Sequence, residues 1–590
     1  MLRWVVVSIA LLSVACADAP AADVEAGAVA VDAALEPARA PVDLAADAPA
    51  PGPRDAAPAA ADAPADAAVD AASSTPTCPS GRWCSALYPP SWTPLQPADS
   101  QGRFLHDFSY AGYHNGEDPM PSSPPGGHFD AVADFGADPT GATDSTQAIQ
   151  SAIDAASVAG GVVMLSAGSF RLDGELAIRA SRVVLRGAGA GMTRLLFTSH
   201  AGRGGKSHLS IRGSVARGAD LALAADAPNR ARVIRLASVA GLSLGDDVAL
   251  GWVITPAFLA DHGMTGIWTT FEGQWKPIFR RTIVAIDASA TPPTVTLDVP
   301  LRHAASLRDQ ASLRRESGYV RESGIEQLSV ANAVAWADAW KEHQVQAIGV
   351  DDATDCWVRD VTSVESPGAT GHSGFDTRKY HLQSGGVRVQ NSKRVTVRGV
   401  AMRNAQNRGS GGDGYLFQVS RSSEILIVDS HGENGRHNFI QNWDFGTSGC
   451  VFLRCTSRGS EYVTMLLGVP LITPARCEYH HSLAMANLVD SCQLDDGWQT
   501  FNRFGESSGA GHTATQSVFW NTRGAGTLQS LQFGWGYVIG TAPSVVLDTA
   551  IGGLFATGTA PADFVEGAGS AATLHPTSLY EDQLARRHAP

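Results

Sequence analysis

Short apolar runs recur along this chain, separated by polar and glycine-bearing turns, and long amphipathic stretches are nearly absent. The exception lies between Asp144 and Ala156. There Ala148, Ile149, Ala152, Ile153 and Ala156 return on one face at helical spacing, Asp144 or Ser145 stands where a cap belongs, and Gly160 and Gly161 stop the run. Such a helix needs apolar surface to cover. VVML, LAI, RVVLRG and RLLF follow it as short strands between turns, and their joins are too short for crossover helices, which excludes a doubly wound sheet. The arrangement then repeats in DCWVRDVTSVES, SKRVTVRGVAMRN, SSEILIVDSHGEN, SGCVFLRCTSRG and TQSVFWNTRG. Aligning Val395, Ile425 and Val451 gives spacings of 30 and 26 residues, the scale of one solenoid coil. A single coil cannot bury its apolar face. Stacked coils can, with Asn and Ser at the corners bonding along the stack.

Between about 202 and 319 the rhythm breaks. RVIRLASVAGLSLGDDVALGWVI, an aromatic stretch with Trp268, Phe271, Trp275 and Phe279, and TVTLDVPL predict a β-rich insertion pairing as an antiparallel module. Its aromatics are expected to pack a small core before they serve as sugar platforms. Trp336 and Trp340 sit in a connection that could reach a groove.

FGADPTGATDSTQAIQSAIDAA followed by GGVVMLSAGSFRL resembles the opening segment of the pectate-lyase-like, right-handed parallel β-helix superfamily. The resemblance implies an all-β solenoid with an N-terminal capping helix, and it implies carbohydrate as substrate. It leaves the reaction open among lyases, hydrolases, epimerases and depolymerases. The expected organisation is an export signal over 1–17, a tether over 18–77, a lead-in over 78–128, the β-helix over 129–542 with its insertion, and a C-terminal segment over 543–590. RGAGAG, ending at Gly191, leads into a strand and is a turn, not a nucleotide loop.

Charge and composition narrow the partners. The net charge is −14, but the first 77 residues hold 11 acidic against 3 basic residues, so the body is only weakly acidic. Without a Lys/Arg stripe it lacks the footprint of a nucleic-acid or anionic-membrane surface. MLRWVVVSIALLSVAC has the layout of a bacterial export signal, and Ser13-Val14-Ala15-Cys16 resembles a lipobox that would acylate Cys16, with ordinary cleavage after Ala17 or Ala19 as the alternative. The Ala/Asp/Pro-rich stretch after it predicts a disordered, extended tether. These readings expect an exported monomer at the outer membrane or cell surface, or secreted, touching membrane only through its lipid. Cys78 and Cys84 bracket a short turn suited to a disulfide, and Cys356, Cys450, Cys455, Cys477 and Cys492 read as thiols stacked inside the solenoid.

Polar density peaks from Gly374 to Asn442. Coils lie about 4.8 Å apart, so residues one coil apart in sequence can be neighbours in space. Elimination from a uronate requires neutralising the carboxylate, removing the adjacent proton and protonating the leaving oxygen. Arg436 or Arg378 could hold the carboxylate, His437 could act as base, Tyr415 or His431 could donate the proton, and Asp413 could orient an imidazole. Lys379, His381, Asn442, Trp498, Arg503 and His512 would extend the substrate site along an acidic polysaccharide. The alternatives are a glycoside hydrolase on the same scaffold, drawing on Asp351–Asp352 or Asp495–Asp496, and a noncatalytic glycan-binding surface protein. No zinc signature occurs. Calcium is the one cofactor the resemblance allows, with Asp351, Asp352 and Asp355 as oxygen ligands.

Overall fold

The computed structural model describes residues 77–122, 126–372, 378–551 and 559–589. The expected export signal, Cys16 and nearly all of the tether lie outside them. From His128 onward the chain winds as a right-handed parallel β-helix. Two long parallel sheets of 18 and 10 strands form its walls. Each coil contributes up to three strands, as in Leu426–Val428, His431–Glu433 and His437–Gln441, the first two on the larger sheet and the third on the smaller. Register aligns Thr396, Leu426, Val451, Leu488, Val518 and Tyr537 along one row, so equivalent residues stack coil upon coil. Parallel strands continue to Phe564–Glu566, beyond residue 542.

The stacking explains the residue types. Inward positions form one continuous core that takes in the five free cysteines among the described residues, with Phe417 stacked on Phe439 at 4.8 Å. Corners carry polar residues that bond along the stack: Ser392 Oγ accepts from Ala353 N, Ser422 Oγ from Ser392 N, and Ser517 Oγ from Asn487 N. Buried backbone N–H groups at the corners are thereby satisfied. Helix Thr146–Ala156 lies over the first coil with Ile149, Ala152, Ile153 and Ala156 buried, the face its periodicity marks. Thr146 N donates to Asp144 Oδ1, while Ser145 Oγ accepts from Asp138 N.

The outer face of the larger sheet is itself apolar at Leu426, Val428, Val451, Leu453, Trp520 and Ile539. The lead-in residues Leu87, Tyr88, Trp92, Leu105 and Phe108 cover it together with Leu579 and Tyr580 of helix Leu579–His588. Cys78 and Cys84 form the expected disulfide in this lead-in.

Strands between Ala216 and Ser317 form a separate seven-stranded antiparallel sheet. Trp252, Phe258, Trp268, Phe271 and Phe279 fill its core, which continues into Phe445, Leu483 and Met485 of the β-helix. The aromatics are therefore core, as the first of the two readings has it. Trp275 donates to Ser312 Oγ and lies under the Arg314 guanidinium.

Candidate functional site: a charged open wall and a buried histidine cluster

Alternation decides what the walls present. Along the second strands of successive coils, Met402, Gly432, Ser457 and Leu494 are buried, so their neighbours point outward. Ala401, His431, Thr456 and Gln493 form one outward row, and Arg403, Glu433 and Arg458 form the next. The second row is a charge ladder. Glu433 Oε2 accepts from Arg403 Nε at 3.3 Å, from Arg458 NH2 at 3.1 Å, and meets His431 Nε2 at 3.2 Å. One carboxylate thus faces two guanidinium groups and an imidazole. His431 and Glu433 keep 20% and 21% of their side-chain surface, Arg403 34% and Arg458 55%, so solvent reaches all four. Partial burial, with Arg403 and Arg458 nearby, pushes the His431 imidazole below its ordinary range despite Glu433, and it is neutral near pH 7. Glu433 is held low by its Arg458 and His431 partners against the cost of burial.

The other sequence-derived candidates divide between interior and rim. Tyr415, Arg436 and His437 do come together, but on the ten-stranded wall and sealed from solvent. The His437 ring lies tilted beside Tyr415 at 5.3 Å between ring centres and next to His480 at 5.7 Å. Burial pushes His437 down to about 3, so it is no base poised at working pH. The Arg436 guanidinium packs over Tyr462, with NH1 donating to the Gly409 carbonyl, and is not available to a substrate carboxylate. Asp413 is fully buried, bonded by His343 Nδ1, Gln344 N and Ser384 Oγ, and orients none of the proposed histidines. Burial raises its carboxyl.

Trp498 stands in the inner core against Phe452 and Tyr479, which leaves no ring face for a sugar. His512 is buried against Phe533, and burial lowers it to about 4. Arg503 is buried beside His480 and Glu478. Glycan contact at these three positions is corrected accordingly: inward strand positions and tight loop packing consume them.

Nearer the surface, Lys379 is exposed and paired with Glu365 at 2.9 Å, Arg378 pairs with Glu461 at 2.8 Å, and His381 Nδ1 meets Ser363 Oγ at 3.0 Å. Asn442 is half-buried, its backbone N–H on Val419 O. Trp336 and Trp340 are half-buried, packed together at 5.4 Å and next to Tyr380. The calcium ligands do not assemble freely, because Asp351 is bound by Arg388 and Asp355 by Arg394.

Glu433, Arg403 and Arg458 escaped sequence reading, as did Glu478 and His480. In the structural register each of the first three lies seven residues after the row of Thr396, Leu426 and Val451, whereas the sequence alignment of Val395, Ile425 and Val451 sets the third coil one residue out of step and so hides the shared face. Glu478 and His480 follow a hairpin, Glu461–Pro474, that interrupts the rhythm.

Residues 129–221 match a family model described as rhamnogalacturonase A/epimerase, pectate lyase-like. The resemblance to the pectate-lyase-like family is thus carried by the opening coils of the β-helix. A search of curated proteins finds no match. Among solved structures, the tailspike protein gp49 from Pseudomonas phage LKA1 is 15% identical over 71% of this chain and 63% of its own, with a TM-score of 0.44. The tailspike gp61 from Pseudomonas phage phi297 is 13% identical over 71% and 70%, also at 0.44. A polygalacturonase from Erwinia carotovora ssp. carotovora is 11% identical over 74% and 82%, at 0.33. The chain thus spans 63% of the length of the gp49 tailspike.

Proposed function

We propose that the chain is a carbohydrate-active enzyme that cleaves a uronate-containing polysaccharide by β-elimination on the open wall centred on His431. The observation that carries this reading is the solvent-reached His431–Glu433 pair flanked by Arg403 and Arg458 on adjacent coils. His431 Nε2 donates to Glu433, which leaves Nδ1 with a lone pair for the proton beside the uronate carboxylate. Two guanidinium groups against one carboxylate leave positive charge to neutralise the substrate carboxylate and the negative charge that develops as the proton departs. That electron pair forms the carbon–carbon double bond, the glycosidic carbon–oxygen bond breaks, and the departing oxygen takes a proton from water. The match to a pectate-lyase-like family model supports carbohydrate as the substrate class. Lys379, Arg378 and His381 on the neighbouring rim would take further units of the same acidic chain. The same reading has the protein exported as a monomer and tethered by lipid at Cys16.

The test is a panel of uronate polysaccharides incubated with the purified protein. New ultraviolet absorbance from a conjugated unsaturated uronate is expected, and His431→Ala should remove it, with a loss on the order of 10²–10⁴-fold. Arg458→Ala should mainly weaken the turnover of charged substrate. Retention of glycan without cleavage would overturn the proposal in favour of a binding protein. Reducing ends without absorbance would overturn elimination in favour of hydrolysis. Hydrolysis has its own supporting observation: burial raises the carboxyl of Asp496, next to exposed Asp495, into the direction a general acid needs.

A further inference from the structure

The sealed cluster on the ten-stranded wall takes no part in the chemistry proposed at His431. His437 Nδ1 lies 2.5 Å from the Arg476 carbonyl oxygen, which can only accept, so Nδ1 carries the ring proton and Nε2 presents a lone pair. That lone pair faces Glu478 Oε2 at 3.3 Å. His437 Nε2 is buried without a hydrogen-bond partner, and Glu478 Oε1, also without one, has only the Arg503 Nε at 3.7 Å. Two acceptors facing each other out of water repel and have lost their hydration. A cation between them removes both costs. His480 Nδ1 lies 2.9 Å from the same Oε2, and the ligand atoms of the three residues all fall within 4.8 Å of one another.

We infer that His437 Nε2, the Glu478 carboxylate and His480 Nδ1 form a binding site for a divalent transition-metal ion of the zinc class. Two imidazoles with one carboxylate suit a borderline-soft ion, whereas calcium and magnesium favour all-oxygen cages. The outer support is already built, because the Arg476 carbonyl fixes the His437 tautomer and ring orientation.

Two cations lie against the cluster, Arg436 beside His437 and Arg503 beside His480 and Glu478. The Arg503 NH1 lies 2.7 Å from His480 Nε2 and 2.8 Å from His480 Nδ1, its Nε lies 3.7 Å from Glu478 Oε1, and its NH2 lies 3.4 Å from Glu506 Oε2, so the guanidinium must move for the ion to enter. On metal binding the His480 proton passes from Nδ1 to Nε2 and the guanidinium turns toward Glu506. The ligands come from strand His437–Gln441 and from strand Cys477–Tyr479 with its following turn, and the exposed hairpin Glu461–Pro474 lies in the connection between them. The ion would therefore close the coil that the hairpin opens, a structural role independent of activity at His431.

The full chain, dialysed after exposure to zinc(II) chloride, is expected to retain an equimolar amount of the metal. Its Tm is expected to rise with zinc and fall with chelator. Cobalt(II) should give the visible absorption of a tetrahedral site. Glu478→Gln, which keeps the shape of the side chain, should lose the cobalt bands and the zinc-dependent Tm shift with its circular dichroism retained. A wild-type chain that shows no cobalt bands, and whose Tm is the same in zinc and in chelator, overturns the site. This readout needs no substrate, so it stands or falls apart from the lyase reading.

Discussion

At the scale of single residues, burial wins over hydrogen bonding at some carboxyls of this fold, whereas charged partners win over burial at Asp298, Glu316 and Glu478. Asp490 is the clearest instance of the first. It is fully buried and receives Ser578 Oγ and Tyr580 N at 2.8 Å each, capping the C-terminal helix, yet burial still raises its carboxyl to about 7. The folded state therefore holds a proton that the unfolded chain releases at about pH 3.9. Stability from this group is fully present below that pH and declines as pH rises toward 7, by about 1.4 kcal/mol per unit of difference. Asp490→Asn keeps an acceptor for the helix and removes the titration. Thermal unfolding between pH 4 and 8 is expected to show the wild type losing stability relative to the variant. Parallel curves would show that Asp490 does not titrate there. The same dominance of burial demotes His437 from catalytic base and leaves half-exposed His431 as the imidazole suited to accept a proton.

At the scale of elements, the N-terminal helix shows how closely pattern and structure correspond. Ile153→Ala removes buried volume where the helix meets the first coil and should cost about 2–5 kcal/mol. Gln147→Ala on the exposed face should stay within about 0.5 kcal/mol. Denaturant unfolding of both variants compares them directly, and equal losses would mean that the helix does not depend on the coil beneath it. The helix, the coils and the insertion were legible in the sequence because each leaves a periodic trace of side chains facing one shared core. The site was less legible. Polar density marks a stretch of chain but not the face its residues occupy. Asp413, Tyr415 and Arg436 belong to the interior, while Arg403 and Arg458 hide in the ordinary-looking AMRN and CTSRG. Reading outward parity along aligned coils separates the two groups. For Glu478 and His480, which follow the hairpin, only contact across coils does so.

For the β-helix and the parts packed on it, Glu424 is the joint. Gly449, at φ +66 on the next coil, leaves the space into which the Glu424 carboxylate projects, since a Cβ there would lie 2.2 Å from Glu424 Oε1. That carboxylate holds Arg281 NH2 at 3.3 Å and Arg302 NH2 at 2.9 Å, both from the insertion, and Arg302 NH1 in turn donates to the Asp107 carbonyl of the lead-in. All three charged side chains are essentially without solvent contact. Removing one member of such a group leaves the others charged and unpaired in a medium that solvates them poorly, which costs about 3–5 kcal/mol. Glu424→Gln should therefore lower stability by that order. The damage should be local, because the insertion has an aromatic core of its own and the coils keep their stacking. Hydrogen exchange is expected to quicken across the insertion strands between Ala216 and Ser317 and in the lead-in around Asp107, while the inner row through Phe417 and Phe439 stays protected. Uniform loss of protection would mean instead that the insertion and the coils unfold as one unit, with Glu424 inside a single cooperative core.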